Sequence, residues 1–104
     1  MKKPAVKSTY KNASGTDFAL LFMPPRKAGF ADHWKYTYRV FDAQNKTRIY
    51  RVMIARAHIP KEEDALIFAQ GKQVMGLLHQ LLDEPETGHQ HLPDMSNGWA
   101  VYRS

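Results

Sequence analysis

Trp34 to Phe41 alternates with a period of two: Trp34, Tyr36, Tyr38 and Val40 fall on one side, Lys35, Thr37, Arg39 and Phe41 on the other. Only a pleated strand sends successive side chains to opposite faces, so this segment is read as extended. Asp42, Ala43, Gln44 and Asn45 follow. Asp and Asn bond their own backbone and tolerate left-handed dihedrals, which makes this a turn. From Lys46 to Ala57 the residues Thr47, Ile49, Tyr50, Val52 and Ile54 favour extended structure again. The two strands are expected to pair as an antiparallel hairpin.

Other elements are arranged around that hairpin. Asp17 to Met23 is short and apolar and ends at Pro24 and Pro25, which have no amide hydrogen for a sheet ladder. Arg26 to His33 reads as a loop. Pro60, followed by Lys61, Glu62, Glu63 and Asp64, marks a helix start with carboxylates on the positive end of the dipole. Ile67, Val74, Leu78, Leu81 and Leu82 recur at helical spacing up to Asp83, with Phe68 and Met75 beside them. Gly71 and Gly76 each weaken a helix by about 1 kcal/mol relative to alanine, and mark where it can bend, break or approach the sheet closely. Glu84 to Gly98 reads as a loop and Trp99 to Arg103 as a final strand.

The predicted fold is therefore α+β, in the order β-β-β-α-β. A three- or four-stranded, mainly antiparallel sheet carries one long helix on one face. Residues 1–16 hold four lysines, no acid and no apolar periodicity, and are read as a flexible basic arm. Residues 17–104 form a single domain. Surface scaling gives roughly 6,000 Å² exposed when folded against about 17,000 Å² unfolded, enough for one core.

Composition removes several functions. The chain has no cysteine, so disulfides, thiolate zinc sites and cysteine nucleophiles are excluded and a cytoplasmic setting is expected. The apolar stretch after Met1, Lys2 and Lys3 is broken too early to read as an export signal. The longest apolar run, Phe18 to Met23, is six residues, against the roughly 20 that span a bilayer. No membrane partner is expected. Net charge is +5, divided as +9 over residues 1–56 and −4 over residues 57–104.

A sheet with one covered face should be polar on the other. Here the second face carries Phe41 next to Lys35 and Arg39, and in the following strand Ile49 and Met53 with Arg51. Such a face is expected to meet a partner: a second copy of the chain or another macromolecule. Lys35, Arg39, Arg48, Arg51 and Arg56 on the hairpin, with Arg26 and Lys27 in the adjoining loop, form a candidate nucleic-acid surface, since cations neutralise phosphates and tyrosines stack on unpaired bases. The same pattern also fits solvated strand positions whose arginine stems cover apolar neighbours.

Other constellations are weaker. His89 and His91, with Asp94, are the metal-ligand candidates, but a two-residue histidine spacing in a polar loop lacks a fixed scaffold. His58 is the candidate general base of a small metal-independent nuclease, with Arg56 near it and no second acid or base set by spacing. Gly71, Lys72 and Gln73 resemble the end of a phosphate loop. The earlier glycine and the closing hydroxyl are replaced by Leu66 and Gln73, so no nucleotide cofactor is inferred.

The leading expectation is a small noncatalytic protein that contacts RNA, DNA or a nucleoprotein complex through its basic sheet face and arm. The alternative is a protein-binding inhibitor or adaptor, as a mobile element would carry, using Phe41, Ile49 and the same cations to occupy an acidic or nucleic-acid-receiving surface. The nuclease comes third.

Overall fold

Two turns of the same chemistry organise the sheet. In the first, the Asn12 side-chain oxygen accepts the amides of Ser14 (3.1 Å) and Thr16 (2.8 Å), and Gly15 takes φ +84°. In the second, an Asp42 carboxylate oxygen accepts the amides of Gln44 and Lys46, both at 2.9 Å, and Asn45 takes φ 60°. Each turn thus begins on an Asx side chain and reverses three residues later through a left-handed residue, a position that favours Gly and Asn.

The computed structural model describes residues 6–23, 32–84 and 95–104. The chain forms β1 (Val6–Lys11), β2 (Asp17–Met23), β3 (His33–Phe41) and β4 (Thr47–Ala55), then α1 (Glu62–Ala69) and α2 (Lys72–Asp83), and returns as β5 (Trp99–Arg103). The strands lie side by side in chain order, every neighbouring pair antiparallel. The α+β class is as expected, but five strands replace the expected three or four.

The additional strand comes from the segment read as an arm. Val6 to Lys11 pairs with β2 over its whole length, from Val6 opposite Phe22 to Lys11 opposite Asp17. Apolar alternation did not reveal it because an edge strand needs few core side chains of its own. Its ladder bonds come from β2, while lysines on the strand discourage pairing with other chains. Tyr10 is its packed residue, half-buried against the core.

The expected helical stretch covers one face of the sheet, divided at Gly71. α1 buries Ala65 and Ala69, and α2 buries Val74, Leu78 and Leu82. Within each helix the buried positions are four apart, but Ala69 and Val74 are five apart. At about 100° per residue, an unbroken helix would turn the second stripe about 140° away from the sheet. The break at Gln70 and Gly71 resets the phase. A Cβ on Gly71 would lie 3.3 Å from the Phe68 carbonyl oxygen, so the joint is also tight. Ile67, read as part of the apolar stripe, is instead 70% exposed.

Beneath the helices, Phe18, Leu20 and Phe22 of β2, Tyr36, Tyr38 and Val40 of β3, and Tyr50, Val52 and Ile54 of β4 are all buried. Their strand neighbours are not, apart from Ala100 and Val101 together in β5. The Tyr38 hydroxyl donates 2.7 Å to the Ala69 carbonyl, satisfying one of the orphan acceptors at the end of α1. The Trp34 indole donates 2.8 Å to the Ile59 carbonyl. Among the described residues no helix is long and apolar enough to cross a membrane.

Candidate functional site

Register decides which side chains share the face opposite the helices. Directly paired residues make six cross-strand rows: Lys11 and Asp17; Thr9, Ala19, Phe41 and Thr47; Lys7, Leu21, Arg39 and Ile49; Met23, Thr37, Arg51 and Tyr102; Lys35, Met53 and Ala100; and His33 and Ala55. Lys7, Lys35, Arg39 and Arg51 are exposed, whereas Leu21, Met23, Phe41, Ile49, Met53 and Tyr102 are half-buried. None of those apolar side chains belongs to the core cluster. The face is a mixed surface of aliphatic, aromatic and cationic groups.

Its electrostatics are one-sided. Asp17, at the start of β2, is the one acid in the strand rows of this face. It lies 4.0 Å from the Lys11 ammonium in an exposed pair, which contributes little in water. Arg51 donates 2.8 Å to the Thr37 hydroxyl, which holds its guanidinium along the sheet surface. Arg39 and Arg51 are diagonal neighbours on adjacent strands, with Cα atoms roughly 7–8 Å apart for such a pair. Lys35 is diagonal to Arg51 on its other side.

The predicted surface is therefore divided. Lys35, Arg39, Phe41, Ile49 and Arg51 are brought together on the open face. Arg48 is turned to the helix-bearing side, where its guanidinium lies 5.3 Å from the Phe18 ring centroid. Arg56, just beyond β4, stacks 4.3 Å from the Trp34 ring centroid on that same side. Arg26 and Lys27 lie outside the described residues, as do His89, His91 and Asp94. Residues not singled out from the sequence join the face instead: Lys7, Leu21, Met23 and Tyr102. The repeated Asx turn was the signal that would have placed Lys7 in a strand.

His58 is exposed in the turn after β4 and meets the Phe68 ring edge-on at 6.2 Å between centroids. Gly98 packs against its imidazole so closely that a Cβ there would sit 2.7 Å from the His58 Cγ. Among the described residues no group of three His, Asp or Glu side chains is placed to hold a metal ion. The Tyr36 hydroxyl is buried without a hydrogen-bond partner among the described residues, and desolvation, with the nearby Glu62 carboxylate, pushes its pKa up to about 12.

At the end of the open face near both Asx turns lies a cleft of about 500 Å³. Lys7, Thr9, Asp17, Phe41, Asp42 and Asn45 are among the residues that line it. It combines an aromatic ring, a cation and neutral and anionic acceptors. Compared with known proteins, the chain matches no family model, no curated protein and no solved structure.

Proposed function

We propose that the protein is a noncatalytic binding module that receives nucleic acid on its open sheet face. The observation that carries this reading is the set Lys7, Lys35, Arg39 and Arg51, all exposed on a face whose strand rows hold a single acid. Phosphates neutralised by these cations release counterions, and Phe41 and Tyr102 offer rings to unpaired bases. Four contacts to a single strand give log K a slope of about −3 against log salt concentration. Fluorescence anisotropy with a labelled oligonucleotide over a salt series tests this. Binding that is absent at low salt, or that does not depend on salt, overturns it.

A second reading is favoured by Leu21, Met23, Ile49 and Met53, half-buried aliphatic groups that no phosphate or base requires. Arg, Met and aromatic side chains are enriched in protein interfaces. On that reading the face occupies an acidic surface of a partner protein, as an inhibitor or adaptor does. A complex with an acidic partner that tolerates Lys7→Ala but is lost in Ile49→Ala supports it. A second copy of this chain is the poorer occupant, since two such faces would bring like charges together.

A further inference from the structure

We infer that the open face takes a single strand and that the cleft beside Phe41 seats one unpaired base, guanine in preference to the others. This rests on the nucleic-acid reading above and specifies its ligand. Five strands about 4.8 Å apart make a face about 19 Å across, too wide to enter a duplex major groove of about 12 Å. A single strand needs no groove. It lies across a sheet with its backbone along the cations and its bases turned onto rings and apolar side chains.

The cleft provides what one such base requires. Phe41 is half-buried and belongs to the lining, an aromatic residue on which a base can stack. Lys7 lies on the same lining and Arg39 two residues before Phe41 on the same face, so a phosphate flanking the seated base meets cations. Asp17 belongs to the lining, its side chain 74% exposed and its carboxylate 4.0 Å from the Lys11 ammonium; Asp42 also lines the cleft, but one of its carboxylate oxygens already accepts the Gln44 and Lys46 amides.

An ionised carboxylate only accepts hydrogen bonds. It therefore repels a phosphate and matches a base edge with two adjacent donors. Guanine carries such an edge in its N1–H and exocyclic amine. Cytosine and adenine offer one amine beside an acceptor, and thymine one N–H between two carbonyls. The cleft, of about 500 Å³, is open to solvent, as a base still joined to its strand requires.

The test uses the full chain and thymidine tracts carrying one central guanine, adenine, cytosine or hypoxanthine, read by fluorescence anisotropy at fixed salt. The expected result is about tenfold tighter binding of the guanine strand, one good bidentate pair's worth of discrimination. Hypoxanthine, which keeps N1–H and lacks the amine, should fall back to the level of the others. Asp17→Asn should abolish the preference, bringing the guanine strand to the level of the other three. Phe41→Ala should weaken every strand about tenfold, the loss expected for one stacked base. Asp17 is exposed, so its variant folds even if Phe41→Ala does not.

Equal affinity for all four strands, unchanged by Asp17→Asn, overturns the base seat and leaves the nucleic-acid reading standing. Duplex bound as tightly as single strand overturns the choice of ligand. Guanosine monophosphate binding as tightly as the strand overturns the strand as the ligand. No binding of any nucleic acid overturns both readings and leaves the acidic protein surface.

Discussion

The Tyr10 ring lies flat on the imidazole of His79, 3.8 Å between centroids and 4° between planes. The same tyrosine donates its hydroxyl to both oxygens of Asp83 at 3.0 Å, and Asp83 also accepts the Ala13 amide at 2.8 Å. The Asn12 amide adds a 3.1 Å bond to the Leu82 carbonyl. Residues about 70 apart in sequence thus fasten the β1–β2 hairpin to the end of α2.

Replacing the carboxylate should loosen that attachment before anything else. Asp83→Ala is expected to cost about 1 kcal/mol, since three bonds are lost but all are exposed to water. Urea denaturation measures the loss. Hydrogen exchange should show β1 amides released first, with β3 and β4 still protected.

The stack also links stability to pH. Burial lowers the His79 pKa from its ordinary 6.5, against the opposing pull of Asp83. A lowered folded value means that the unfolded chain binds protons more readily. This contribution is therefore complete above pH 6.5 and declines as pH falls through the folded value. Melting temperature measured from pH 8 down to about pH 4 should fall more steeply in the native chain than in His79→Gln. Parallel profiles would exclude His79 as the cause.

Tyr36 and Tyr38 form a matched pair of opposite sign. Both are buried, but the Tyr38 hydroxyl satisfies the Ala69 carbonyl whereas the Tyr36 hydroxyl has no partner among the described residues. Tyr38→Phe should cost about 1–2 kcal/mol through a stranded acceptor, and Tyr36→Phe should be neutral or stabilising by up to about 1 kcal/mol. Equal losses in denaturation experiments would refute the distinction.

Gly98 combines φ +86° with the close approach of His58. Gly98→Ala should therefore cost about 1–2 kcal/mol from backbone strain and contact together. Adding His58→Ala should recover the contact part and leave the strain, a coupling that a double-mutant cycle reads directly.

The arginines should separate by face. Arg39→Glu and Arg51→Glu are expected to reduce oligonucleotide affinity at least tenfold each with little change in melting temperature. Arg56→Ala should do the reverse, since its guanidinium stacks on Trp34 and such contacts contribute about 0.5–2 kcal/mol. Equal losses of affinity from Arg39→Glu and Arg56→Glu would mean that the open face is not the binding surface.

What the chain determines by itself is local. The alternation of Trp34 to Phe41, the Asp42 turn and the apolar spacing after Pro60 place strands and helix within a residue or two, because each rests on contacts within a few positions. Mixed character on the outer face of the hairpin was legible for the same reason. β1 was not, because an edge strand draws its stability from the neighbour it pairs with, and Lys7, Thr9 and Lys11 reveal nothing of Leu21, Ala19 and Asp17 opposite them.

Tertiary structure alone decided which cations lie together. Arg48 and Arg51 are three residues apart in one strand and so face opposite ways, one onto Phe18 and one onto the open face. Lys7 and Arg39 are distant in sequence and share a row because both pair with Leu21. Residue type sets charge and local direction, but register and helix phase set neighbourhood. Those depend on packing the whole sheet against Ala65, Ala69, Val74, Leu78 and Leu82 at once.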